Sequence, residues 1–188
     1  MTRAREDAVE RTLRWMTENL NGAYIAKHPE GHPRAGYHCT NSGTCILACC
    51  YIGALGKVLW KGGPLKGDKQ FSRRDFARFQ KFLQLCMSDF LTESNTVSLP
   101  SLPKGRSGGD ELLYKVYRCG FVHGYPSANF AWARNPRSHK YWGNSQGRLT
   151  LNIDELVRGF QRGIVEFRRL VAADADLQSR FNEYITAD

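Results

Sequence analysis

Gly108–Tyr125 reads GGDELLYKVYRCGFVHGY. Leu112, Leu113, Val116, Tyr117 and Phe121 recur at helical spacing, so one helix is expected here, opening after the double glycine and stopping at Gly124. The stretch carries Arg118, His123 and Tyr125 in the spacing R-x4-H-x-Y. The other periodic segments read as helices able to pack around it.

Upstream, Val9, Leu13, Met16 and Leu20 mark one face of a helix over residues 4–20, with Asn21-Gly22 as its stop. Residues 42–60, SGTCILACCYIGALGKVLW, are apolar nearly all round, as a buried core helix is. Gly43, Gly53 and Gly56 would let neighbouring backbones approach it closely. Ser72 stands three residues before Asp75 in a capping-box pattern, and Phe76, Phe79, Leu83, Cys86 and Phe90 continue that helix. Downstream, Ile153, Leu156, Phe160, Ile164, Phe167 and Val171 predict a helix over 153–172. Asp154 and Glu155 in its first turn suit the helix dipole. Leu177, Phe181 and Ile185 predict a last one over 174–186. Leu149, Leu151 and Ile153 alternate, which predicts a strand at 148–152 and a short β-hairpin near 139–152. The expected fold is all-α: a bundle of five to six helices with long loops, forming one domain over 1–188.

The chain has 188 residues and a formal charge of +9. Two segments concentrate that charge. Residues 101–150 hold eight Lys and Arg against two carboxylates, and 61–81 hold seven against two. Local basic segments of this kind are the footprint of a polyanion partner. A solvated basic surface is the alternative. The N-terminal MTRAREDAVER lacks a signal-peptide core, and the strongly apolar run Cys45–Leu55 is short for a bilayer span. A cytoplasmic protein with no membrane partner is expected. The six cysteines form no C-x-x-C pair and are expected to be reduced thiols. His28, His32, His38, Cys39 and Cys45 match no common zinc spacing, so neither a metal nor a cofactor is expected.

Residues 126–148, PSANFAWARNPRSHKYWGNSQGR, mix aromatic and basic side chains. Aromatic faces stack on bases and cations hold phosphates, which suits single-stranded nucleic acid. Arg134, Arg137, His139, Lys140, Trp132 and Trp142 are therefore RNA-binding candidates. The same tryptophans suit packing on their own domain equally well.

Metal-free RNA cleavage needs a base for the 2′-hydroxyl proton, an acid for the leaving oxygen, and a cation on the phosphate. Histidine titrates near neutrality, and the arginine fork pairs with two phosphate oxygens. On an ideal helix Arg118 and His123 lie about 140° apart at 100° per residue. A distorted helix end or a two-fold interface would be needed to bring them to one phosphate.

Leu112–Tyr125, LLYKVYRCGFVHGY, resembles the signature of the HEPN superfamily, whose R-x4–6-H motif lies near a helix end. The R-x4–6-H-x-Y form is similar to that of HEPN toxins. The resemblance implies an all-α, dimeric, metal-independent ribonuclease acting in toxin–antitoxin or anti-phage defence. It implies His123 as acid/base, Arg118 as the phosphate-binding or transition-state-stabilising group, and Tyr125 as a residue that a partner nucleotidyltransferase antitoxin modifies. Cys119 departs from the polar residue that often follows the arginine in active members. Two other readings remain: a non-catalytic nucleic-acid, nucleotide-binding or dimerisation module, and a helical adaptor for a protein partner.

Overall fold

The computed structural model describes residues 2–27, 30, 41–61, 71–96, 109–114 and 130–186. Within them the chain is mostly helical: α1 (Thr2–Ile25), α2 (Asn41–Leu59), α3 (Phe71–Cys86), α4 (Ser88–Ser94), α5 (Gly109–Leu112), α6 (Ile153–Ala173) and α7 (Ala175–Thr186). Three short strands, β1 (Phe130–Ala133), β2 (Trp142–Ser145) and β3 (Arg148–Asn152), form one sheet in the order β1-β3-β2.

The apolar helix α2 is the core element. Ala48, Cys49, Ile52 and Leu55 are fully enclosed, and α1, α3, α6 and α7 all pack against it. By length and composition α2 would also suit a membrane span, but more than half of it is buried within the fold. Its crossing with α3 is the most extensive helix contact. Gly56 makes that crossing possible, because a Cβ there would stand 2.0 Å from the backbone oxygen of Arg78. The second layer is aromatic: Phe82 stacks on Phe160, and Phe167 packs edge-on against Phe181.

Two boundaries differ from the sequence reading. Helix α1 runs through Asn21-Gly22 to Ile25. Its last turn is held by long-range contacts: Tyr24 donates to Asp154 at 2.5 Å and lies beneath the Arg134 guanidinium. Tertiary contacts here override a local stop signal. The predicted helix through Phe90 divides into α3 and α4 at Met87, whose backbone leaves helical geometry (φ −137°, ψ 48°). The break redirects Phe90, Glu93 and Ser94 toward the sheet. The Ser72 side chain lies outside the described set.

The hairpin expected near 139–152 is present as β2 and β3, which pair antiparallel with Trp142 opposite Leu151. Its two-residue turn places Gln146 and Gly147 at positive φ (53° and 75°), the type I′ arrangement that matches strand twist. The third strand was not expected. β1 runs parallel to β3, with Trp132 opposite Leu151. The fold is thus mostly helical, as expected, and the expected hairpin is extended by β1 into a small mixed sheet. Local alternation finds a hairpin, whereas a parallel pairing depends on residues far along the chain.

Candidate nucleic-acid interface

Arg118, His123 and Tyr125 lie outside the described residues. The chain leading to them is well anchored. Leu112, Leu113 and Tyr114 are buried, and the Tyr114 ring packs 5.3 Å from both Phe76 and Phe79. Gln80 donates to the Asp110 carboxylate at 2.6 Å, tying α5 to α3. At Leu113 and Tyr114 the helix already winds with the wider π spacing, a departure from ideal geometry before the motif begins. The chain is described again at Phe130, where it enters β1.

The RNA-binding candidates fall on β1, on the loop after it and on β2. Arg134, Lys140 and Trp142 line one shallow cleft of about 210 Å³ beside the sheet, together with Asn144, Ser145 and Thr150. Its described lining residues include two cations and no carboxylate. Arg137, His139 and Lys140 are exposed on the adjoining loop.

Two candidates have internal work. Arg134 Nε donates to Asn41 Oδ1 at 2.7 Å, and its Nη2 donates to the Tyr24 carbonyl. Its guanidinium sits 4.1 Å over the Tyr24 ring. It clamps the end of α1 to the start of α2, and only its charge is left to face the cleft. Trp142 is 6% exposed, donates through Nε1 to Ser94 Oγ at 2.9 Å and packs on Phe90. That burial favours packing on its own domain, the second of the two readings open to this tryptophan in the sequence. Tyr141 is likewise core, and Trp132 is half-buried against the core cluster.

Asn152, which the sequence reading did not single out, shapes the loop. Its Nδ2 donates to the carbonyls of Asn135, Ser138 and Lys140, and its Oδ1 accepts from the backbone N–H of Asn135 and Asp154. One side chain thus caps α6 and holds the loop that carries Arg137, His139 and Lys140. An Asn immediately before a helical stripe was the available signal.

Beneath the loop lies a carboxylate and guanidinium network. Glu155, 2% exposed, accepts from Arg158 Nε and Arg162 Nη2, each at 2.7 Å. Arg158 also donates to the Ser138 carbonyl at 2.6 Å. Arg162 reaches Asp89 at 2.7 Å and the Tyr141 hydroxyl at 3.0 Å. Glu93 accepts from the backbone N–H of both Tyr141 and Trp142. Gly159 leaves room for the Tyr141 hydroxyl, which a Cβ would meet at 2.2 Å. Burial pushes the Asp89 pKa up, but hydrogen bonds from Arg162, Tyr141 and the Phe90 amide outweigh it and hold it below the ordinary value. Burial first, and then the Asp89 charge and hydrogen bond, keep Tyr141 a neutral phenol. The expected dipole role of Glu155 is thus secondary to this buried pairing.

Cys45, Cys49 and Cys86 are buried and Cys50 is exposed, and burial pushes the Cys86 thiol up to about 12. Cys39, Cys119, His28, His32 and His38 lie outside the described residues, and no cluster suited to a metal occurs among the described ones.

The described residues therefore provide a cationic cleft on a polar, hydrogen-bonded frame. Compared with family models, with curated proteins and with solved structures, the chain matches none.

Proposed function

We propose that this chain is a metal-independent endoribonuclease of the HEPN type, working as a homodimer in a toxin–antitoxin or anti-phage system of the cytoplasm. The observation that carries the reading is the Arg118-x4-His123-x-Tyr125 motif, which follows the core-anchored Tyr114 after three residues. The reaction is transesterification. The 2′-oxygen of the substrate attacks phosphorus, the bond to the 5′-oxygen breaks, and a 2′,3′-cyclic phosphate and a 5′-hydroxyl result. His123 moves the protons, and Arg118 stabilises charge on the phosphoryl oxygens. Tyr125 is the site that a nucleotidyltransferase antitoxin would modify.

The cationic cleft beside the sheet supports RNA as the substrate class. With Arg137 and Lys140 exposed beside it, the flanking loop would track a phosphate backbone. The same cleft favours the second reading, a non-catalytic nucleic-acid-binding module. Incubation with single-stranded RNA in EDTA separates the two. Catalysis requires cyclic phosphate products from the parent and none from His123→Ala or Arg118→Ala. Salt-sensitive binding without turnover in the parent selects the binding module.

A further inference from the structure

A second cleft among the described residues lies away from the sheet, between α1, α2 and α7. It measures about 660 Å³ and is lined by Arg11, Trp15, Met16, Lys57, Tyr184 and Ile185, with Thr12. Trp15 is 57% exposed, the one aromatic among the described large hydrophobic side chains left in the open. A tryptophan of that size is ordinarily covered, so its exposure in a cleft points to an occupant. The ring is braced from one side by Tyr51, whose centroid lies 6.0 Å away. Lys57 sits 5.2 Å over the Tyr184 ring on the opposite wall. Arg11 and Lys57 are the two cations of the lining, and its described residues include no carboxylate.

We infer that this cleft is a nucleotide-stacking site, in which a base lies on Trp15 and its phosphate is held by Lys57 and Arg11. The chemistry is that of single-stranded nucleic-acid recognition: a braced ring for a π-face, and cations in the same lining for the phosphate. Its charge complements a polyanion and would repel a basic peptide. The site is separate from the Arg118–His123 motif and goes beyond the catalytic proposal, because it is read by binding alone. The occupant is either a nucleotide within an RNA strand or a free mononucleotide.

The test uses full-length His123→Ala protein in EDTA, so that cleavage cannot consume the probe. Binding of labelled oligouridylate and of UMP is measured for this parent and with Trp15→Ala, Trp15→Phe, Lys57→Glu and Val165→Ala added. Val165 is exposed outside the cleft, and thermal melting verifies that each variant folds. Trp15→Ala should weaken oligouridylate binding about 5- to 150-fold, the range for one lost base stack. Trp15→Phe should retain most of the affinity, and Val165→Ala all of it. Lys57→Glu should weaken binding and flatten its salt dependence. Affinity that rises with RNA length identifies a strand as the occupant, and equal affinity for UMP identifies a free nucleotide. Binding of both probes that is unchanged by Trp15→Ala and Lys57→Glu overturns the inference, as does absence of binding. Cleavage lost in His123→Ala with Trp15 inert would overturn this site alone and leave the catalytic reading standing.

Discussion

Gly56→Ala is the substitution whose sign depends most directly on the architecture. In an isolated helix alanine is favoured over glycine by about 0.8–1 kcal/mol. At the α2–α3 crossing the added Cβ would stand 2.0 Å from Arg78 O and 2.7 Å from its carbonyl carbon. Even the tightest contact that real Cβ atoms show, 3.0 Å, requires the helices to separate by about 1 Å. The obstacle is backbone, so no rotamer change relieves it. Overpacking of this kind costs about 2–3 kcal/mol, leaving a net loss of roughly 1–2 kcal/mol after the propensity gain. For a chain of this size the melting temperature should fall by about 2–8 °C. Gly22→Ala is the internal control. It lies within α1 with nothing within 4 Å of a Cβ, so it should raise the melting temperature by about 2–4 °C. Thermal unfolding followed by circular dichroism reads both. If Gly56→Ala proves as stable as the parent or more so, the α2–α3 packing described above is wrong.

Arg134→Ala should cost about 1.5–3 kcal/mol, because Asn41 and the Tyr24 carbonyl lose a charged donor; a chemical denaturation midpoint matching the parent's would refute its role as a clamp. Charge reversal at Arg137 and Lys140 should leave the melting temperature unchanged while each lowers the salt slope of RNA binding by about 0.7 or more, and an unaltered slope would remove the sheet-side cleft from the RNA path. Asp89, with its pKa held below the ordinary value, contributes stability that is present above about pH 4 and is lost as pH falls through its folded value. Asp89→Asn should therefore flatten the parent's stability loss below about pH 4, and identical acid denaturation curves would count against the Asp89–Arg162–Tyr141 network.

The elements that the sequence announced are those whose signal is local. Residues 42–60 are apolar nearly all round, as a buried core helix is. The stripe from Ile153 to Val171 spans α6 almost end to end. The β2–β3 hairpin followed from alternation at Leu149 and Leu151. What escaped was long-range. β1 reads FAWA inside a basic, aromatic tract, and only its partner strand makes it extended. The stripe from Phe76 to Phe90 keeps its period across Met87, so the break between α3 and α4 leaves no trace in the spacing. Arg134 looked like a phosphate ligand because its partners, Tyr24 and Asn41, lie 110 and 93 residues away. Trp142 looked available for stacking until Ser94 and Phe90 enclosed it. Asp154 and Glu155 looked like dipole residues, yet both are buried, Asp154 accepting from Tyr24 on α1 and Glu155 pairing with Arg158 and Arg162 of its own helix. Conversely, Trp15 stands outside the Val9–Leu20 stripe, and the fold leaves it in an open cleft beside Arg11 and Lys57.

The central claim concerns Arg118 and His123, and it rests on chemistry that a single assay reads. Purified protein is incubated with single-stranded RNA in EDTA beside Arg118→Ala and His123→Ala, each verified as folded, and the new ends are analysed. Cleavage leaving 2′,3′-cyclic phosphates, present in the parent and lost in both variants, is the expected result. Cleavage that persists in the two variants, or a parent that binds RNA without cutting it, would contradict the catalytic reading.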